Sequence, residues 1–250
     1  MISKSEIKLL RALHLQKYRR KQRFFLVEGT KGVLEFVQSP LPVDRIYATG
    51  NWLLEHEKEL PPGQPVSEVS RAEMERISAL KNPSEVLAVV RMPAHALPDL
   101  REVKGLVLAL DQIRDPGNLG TIIRTADWFG IGHVVCSEGT VEAFNPKVVQ
   151  ATMGSLARVQ VHYTDLKTWL PQRPPEIKIY GAMLEGRDIR EVKPPKTGIL
   201  LIGSEAHGIS PVLYPLIEER IRIPGSPQRG AESLNAAVAT AIVCYAFGVK

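Results

Sequence analysis

The sequence predicts an α/β protein in two parts, the second built on a parallel sheet. Three observations lead there. Short apolar runs alternate with helical segments along the 250 residues, which is the pattern of strands joined by helices. Several runs, such as residues 106–111, are apolar without alternation, as expected of central parallel strands covered on both faces. Residues 92–98 (MPAHALP) place two prolines in seven residues and read as a linker.

The first part spans residues 1–92. Ser3 and Glu6 form an S-x-x-E capping box ahead of an amphipathic helix striped by Ile7, Leu10 and Leu13. Residues 24–27 read as a strand ending at Glu28-Gly29, and 31–37 as a helix stopped at Ser39-Pro40. A short strand at 45–48, a helix at 52–60 and a buried strand at 86–90 complete it. Residues 93–103 form the linker. The second part, 104–250, has strands expected at 106–111, 133–136, 177–183, 199–203 and 220–223, with helices at 121–129 and 236–247 among those between them.

Composition narrows the function. With 44% hydrophobic and 24% charged residues the chain has the proportions of a soluble globular protein. Only 6% of residues are aromatic, so the core is mainly aliphatic. Two cysteines, Cys136 and Cys244, exclude a disulfide scaffold and a cysteine zinc site. No stretch approaches the roughly 18 apolar residues of a membrane helix. The N-terminus lacks the apolar segment and cleavage site of a secretory signal. The expectation is a cytoplasmic protein without membrane contact.

The net charge of +5 is concentrated at the start. Residues 1–31 hold nine bases against two acids. The run Lys17, Arg19, Arg20, Lys21 and Arg23 suits a polyphosphate backbone, whereas many such runs are merely solvated helix ends.

Ligands of parallel α/β sheets bind beyond the carboxyl ends of the strands, and three segments lie there. The first, DQIRDPGNLG (111–120), leads into helix 121–129. Leu119, Ile122, Ile123 and Ala126 face the core, and Thr121, Arg124, Thr125 and Trp128 face away. An arginine one turn into a helix lies near its positive end and suits an anion. The second, LLIGSEAHGI (200–209), ends a buried strand in a carboxylate and a glycine-rich turn. His207 has no companion at ligand spacing and reads as a loop residue. The third, 223–235, leads into an apolar helix with no polar face, which must be covered by the domain or by a second subunit. No metal-ligand cluster, dinucleotide fingerprint, phosphate-binding P-loop or serine-hydrolase elbow is present.

In this order the segments resemble the three signature motifs of the SpoU-type RNA ribose 2′-O-methyltransferases of the SPOUT superfamily. The first is N-x-G-x-x-x-R, here Asn118, Gly120 and Arg124. The second is G-x-E-x-x-G, here Gly203, Glu205 and Gly208. The third is I-P followed by S-L-N, here Ile223, Pro224, Ser233, Leu234 and Asn235. Residues 1–92 also resemble the family's L30e-like RNA-binding extension, through the basic start, FFLVEG and NPSEVLAVV. The chain departs from the pattern at Gly225, where methionine is common, and in a long 223–233 stretch containing Pro227 and Arg229.

The resemblance implies S-adenosylmethionine as methyl donor and structured RNA as substrate, ribosomal RNA as the first reading and transfer RNA as the alternative. It implies a homodimer with its active site at the subunit interface and a trefoil knot in the C-terminal part. Cofactor-binding backbone would fall at Ala182, Gly203, Ile223 and Leu234. Arg124 would carry the key catalytic role, with Asn118, Glu205, Ser233 and Asn235 ordering loops and orienting substrate. A guanidinium is an awkward base, so positioning and electrostatic stabilisation are favoured over proton abstraction. The rival readings are a non-catalytic RNA-binding protein on the same fold and a nucleotide-using small-molecule enzyme.

Overall fold

A computed structural model describes residues 2–228 and 230–248; Arg229 lies outside them. The chain forms two compact units, Met1–Ala94 with Glu142–Ala157, and His95–Val141 with Arg158–Lys250. Residues 142–157, assigned from sequence to the second part, thus pack with the first.

In the first unit, α1 (Lys4–Ala12) starts at the expected capping box, with Ser3 Oγ accepting from Glu6 N at 3.1 Å and Glu6 Oε2 accepting from Ser3 N at 3.0 Å. It is followed by α2 (Gln16–Gln22), β1 (Phe24–Glu28), α3 (Thr30–Val37), β2 (Val43–Ala48), α4 (Gly50–His56), β3 (Val66–Glu68), α5 (Arg71–Ile77) and β4 (Val86–Arg91). The sheet order is β1-β4-β2-β3. Strand β4 is antiparallel to β1 and β2, and β3 is parallel to β2. One core cluster gathers Ile7, Leu10 and Leu13 with Leu26, Met74, Ile77 and Leu87. Phe25 faces elsewhere, meeting Phe36 edge-on at 5.5 Å and Phe144 at 4.7 Å. Phe144 joins the buried Val148 and Val149 in packing the 142–157 segment into this unit.

The second unit contains β5 (Gly105–Leu110), α6 (Pro116–Trp128) and β6 (His133–Cys136). After α7 (Pro146–Thr152), which belongs to the first unit, come β7 (Gln160–Tyr163), α8 (Leu166–Trp169), β8 (Lys178–Asp188), β9 (Thr197–Ile202), β10 (Glu219–Arg222) and α9 (Ala236–Ala246). The six strands run in the order β10-β8-β9-β5-β6-β7, all parallel. Val107, Leu108, Leu110, Ile199, Leu200 and Leu201 are fully or almost fully buried. Each such side chain contributes about 1.5–3 kcal/mol of burial, and this is why the central strands read as unbroken apolar runs. The chain moves from β5 outward to β7, then crosses to β8 and returns with β9 beside β5. The switch point between β5 and β9 is where such sheets bind ligands.

Two elements differ from expectation in ways that matter. Helix α6 begins at Pro116, five residues before the expected 121, with Asp115 as N-cap and proline in its first turn. Strand β8 is longer than 177–183. Its pairing with β10 jumps from Gly181↔Arg220 to Arg187↔Ile221, so residues 182–186 bulge out of the ladder. Among the described residues no helix is long and apolar enough to cross a membrane.

Candidate active site

The loops at the carboxyl ends of the second unit's strands are joined by side chains. Asp111, 3% exposed at the end of β5, accepts a hydrogen bond from Ser210 N at 2.7 Å. This ties the loop after β5 to the loop after β9. The latter is a tight turn: Ser204 and Gly208 exchange backbone hydrogen bonds of 3.0 and 2.9 Å. Gly208 has φ 66°, and a Cβ on Gly203 would fall 2.0 Å from the Gly208 carbonyl carbon. Glycine at 203 is therefore demanded by backbone crossing backbone.

Glu205 stands in that turn, exposed to solvent. It accepts a short hydrogen bond from Asn118 Nδ2. Asn118 lies in the first turn of α6, its backbone N donating to Asp115 Oδ1 at 2.8 Å. Its own Oδ1 accepts from Asn235 Nδ2 at 2.8 Å. Asn235 is the N-cap of α9, its Oδ1 taking Ala237 N at 2.9 Å and Val238 N at 3.2 Å. One chain of hydrogen bonds, Asn235 to Asn118 to Glu205, thus links all three segments singled out in the sequence.

Arg124 is exposed on the outward face of α6, and its side chain has no hydrogen bond or ion pair among the described residues. It stands nine residues beyond the N-cap, so it is not at the helix's positive end as the sequence reading expected; the earlier start of α6 is the reason. The facing assignments hold. Leu119, Ile122, Ile123 and Ala126 are buried, and Trp128 is 84% exposed. Ser233 is exposed and makes no hydrogen bond among the described residues. It precedes Asn235 by two positions but does not join the chain.

Three of the four candidate cofactor positions flank neighbouring strands. Ala182 opens the β8 bulge, Gly203 follows β9 and Ile223 follows β10, and these strands are adjacent in the sheet. Leu234, 47% exposed, directly precedes the Asn235 cap. Ala182, Gly203 and Ile223 are half-buried, with exposed Leu184 in the same bulge. A glycine backbone and small or aliphatic side chains at adjoining strand ends fit an adenosine, which needs backbone partners for its edge and apolar surface for its faces. Among the described residues no group of three His, Cys, Asp or Glu is arranged to hold a metal ion.

Helix α9 is buried on one side only, through Ala236, Ala237, Thr240, Val243 and Cys244. Val238 and Tyr245 are 48% and 77% exposed. Cys136 and Cys244 are buried, and burial pushes both thiols up, Cys244 to about 12, so both are inert packing residues.

The basic run of the first unit divides. Lys17, Arg20, Lys21 and Arg23 are exposed. Arg19 is 2% exposed and is removed from the RNA-facing set. Its guanidinium donates to Leu13 O at 2.9 Å, to His14 O at 2.8 Å and to the Glu142 carboxylate. A buried fork that spends four of its five N–H donors inside the unit is not presented to a phosphate.

Comparison with known proteins agrees with the geometry. The model of the SpoU rRNA Methylase family matches residues 105–245, and that of the MRM3-like substrate binding domain matches residues 4–88. The chain is 33% identical over 242 residues, 96% of its length and 94% of the relative's, to the 23S rRNA (guanosine(2553)-2′-O)-methyltransferase RlmP of Bacillus subtilis. A TrmH-family structure from Porphyromonas gingivalis superposes with TM-score 0.87 at 41% identity, covering 99% and 98% of the two chains. The AdoMet-bound rRNA methyltransferase of Sinorhizobium meliloti superposes with TM-score 0.84 at 28% identity, covering 99% and 96%.

Proposed function

The chain belongs to the SpoU rRNA methylase family, and from that premise we propose that it methylates a ribose 2′-hydroxyl of ribosomal RNA, with S-adenosylmethionine as donor. The observation that carries this reading is the Asn235–Asn118–Glu205 chain, which brings the three motif segments to one edge of the sheet, with Arg124 exposed further along the helix that bears Asn118. The RlmP relative acts on 23S rRNA, and the Sinorhizobium neighbour holds AdoMet.

S-adenosylmethionine supplies an already activated methyl group on a sulfonium. What the protein must add is alignment of the 2′-oxygen and management of its proton. Ala182, Gly203, Ile223 and Leu234 hold the cofactor. Asn118, Glu205 and Asn235 keep the loops in register, and Ser233 supplies a hydroxyl for the substrate. Arg124 places a phosphate or the ribose and stabilises negative charge developing on the 2′-oxygen.

The reading extends to a trefoil knot in the C-terminal part and an L30e-like N-terminal domain that binds RNA through Lys17, Arg20, Lys21 and Arg23. The return of β9 between β8 and β5 and the MRM3-like match support these. It includes a homodimer, supported by the exposed apolar side chains Trp128 on α6 and Leu234, Val238 and Tyr245 at the start and along α9. It places the protein in the cytoplasm.

The test is nucleoside mass spectrometry of ribosomal RNA from a strain lacking the gene, paired with transfer of labelled methyl from S-adenosylmethionine to that RNA by purified protein. One 2′-O-methylnucleoside is expected to disappear from the deletion strain and return in vitro. An unchanged set of ribose methylations with no transfer in vitro refutes the reading; transfer to tRNA alone corrects the substrate.

A further inference from the structure

Gln112 follows β5 and Asp111 with φ 57°, a left-handed conformation that a non-glycine side chain adopts at a cost. Such a residue persists where its surroundings over-determine it, and these sites are often functional. Two neighbouring loops hold Gln112. Its backbone N donates to Ser137 Oγ at 2.8 Å, beyond β6. Its side-chain Nε2 donates to Ser210 Oγ at 3.3 Å, beyond β9. A Cβ on Gly139 would lie 3.2 Å from its Cγ, so the loop beyond β6 packs directly on the side chain.

The remaining oxygen of Gln112 accepts a hydrogen bond from Arg114 Nη2 at 3.2 Å. Arg114 is exposed, and this neutral oxygen is its one bonded partner among the described residues. The neighbouring Asp115 spends Oδ1 capping α6, on Asn118 N at 2.8 Å. Several other arginines of this unit are neutralised, although Arg124 on α6 is not. Arg101 is bidentate to Asp99, and Arg190 is bidentate to Asp188. Arg114 is instead tethered without being neutralised. It keeps its full charge and its remaining donors, and it stands in the same loop that leads to Asn118.

We propose that Arg114, held by Gln112, contacts a backbone phosphate of the substrate RNA, and that Gln112 is the positioning residue for that contact. A fixed guanidinium with free donors recognises a phosphodiester by paired charge-assisted hydrogen bonds. The strained backbone of Gln112 aims its amide at both Ser210 and Arg114, which couples the phosphate contact to the turn bearing Glu205. The proposal rests on RNA being the substrate.

The test uses the full chain with deproteinised 23S ribosomal RNA, and Arg114→Ala, Arg114→Lys, Gln112→Ala and Gln112→Gly. Arg114→Ala is expected to raise KM for RNA about tenfold, the loss of one charge-assisted hydrogen bond. It should lower the slope of log affinity against log salt by about 0.7–0.9, one phosphate contact. Cofactor affinity and melting temperature should stay at wild-type values. Arg114→Lys should recover the salt slope without recovering KM, because an ammonium lacks the planar fork. Gln112→Ala should raise KM with an unchanged salt slope, since the charge remains but is no longer aimed. Gln112→Gly, which removes the side chain and the backbone strain together, should do the same even where the alanine variant folds poorly. A wild-type KM and salt slope in Arg114→Ala overturns the proposal. So does a KM rise that comes only with weaker cofactor binding or lower melting temperature, which marks a structural role. If the wild-type protein methylates no RNA, the functional reading fails by itself; RNA binding then still reads Arg114, and an unchanged salt slope overturns the proposal there too.

Discussion

Asn235 donates from Nδ2 to Asn118 Oδ1 at 2.8 Å, across 117 residues of sequence. Asn118 passes the connection on to Glu205. Its amide is suited to this because it offers an acceptor and a donor at once. Asn118→Ala breaks both links and is expected to cut methyl transfer on the order of a hundredfold, the scale of a small misplacement of reacting groups. Stability should fall by only about 1 kcal/mol, because the groups left behind reach solvent. Asn118→Asp keeps an acceptor for Asn235 but sets a second carboxylate against Glu205, and it should be equally inactive. Wild-type turnover in the aspartate variant, measured with saturating cofactor, would show that the chain does not hold the site.

Arg19 and its neighbours should respond in opposite ways. Arg19→Ala leaves Glu142 as a buried, unpaired carboxylate, and breaking such a pair costs about 3–5 kcal/mol. Its signature is a lower melting temperature. Arg20→Ala with Lys21→Ala should leave stability within about 0.5 kcal/mol. That double variant should weaken RNA binding and flatten its salt dependence by up to about 2 in log–log slope. Equal RNA affinity in the double variant would return these residues to a solvated helix end.

Arg19 also shows where sequence reading stops. Its partner is 123 residues away, so nothing local distinguishes it from Arg20. The same holds for residues 142–157, whose contacts with the first unit, Phe144 on Phe25 and Glu142 on Arg19, are all distant in sequence. Edge strand β7 was missed because it is only four residues long, with a polar residue at every second position. The start of α6 was legible and misread. Asp115-Pro116 is a strong start signal, but Gly117 and Gly120 are weak helix formers within the first turns. The apolar runs of β5, β6 and β9 and the three motifs were legible because burial on both faces, and backbone demands such as that of Gly203, leave marks in the local sequence.

His162 makes the second unit sensitive to acid. Its ring is 3% exposed, with Nε2 3.3 Å from His133 Nδ1 and the His95 ring 5.9 Å away. Burial first, and then the neighbouring His133 and His95, push it down to about 4. The folded state therefore resists a proton that the unfolded chain accepts near pH 6.5. The stabilisation is complete above that pH and is lost progressively as pH falls toward 4. The loss is bounded at about 1.4 kcal/mol per pH unit for one group. Denaturant unfolding at pH 7.5 and 5 should show a steeper loss in wild type than in His162→Gln. Parallel curves would mean that His162 does not carry the linkage.

The outward faces of α6 and α9 expose Trp128 at 84% and Tyr245 at 77%. Large aromatics left in water on adjoining helices are expected at a subunit interface. Tyr245→Glu should convert a dimer to a monomer in sedimentation and abolish methyl transfer, with secondary structure unchanged because the side chain is outside the core. A wild-type protein that is monomeric and active at micromolar concentration excludes the dimer.

Arg124 tests the chemistry most directly. It is exposed and unpartnered, so Arg124→Ala removes no packing and no ion pair seen in the fold. Stability and cofactor affinity should therefore hold. If the guanidinium steadies charge at the 2′-oxygen, methyl transfer should fall a hundredfold or more, the scale for removing one positioned electrostatic group, about 2.7–4 kcal/mol. Arg124→Lys keeps the charge but not the fork, and it should remain severely impaired. The pattern to look for is a drop in kcat with intact cofactor binding. A parallel loss of melting temperature, cofactor affinity and rate would make Arg124 a brace for α6, and a lysine variant with near wild-type turnover would leave the chemistry to Asn118, Glu205 and the groups they position.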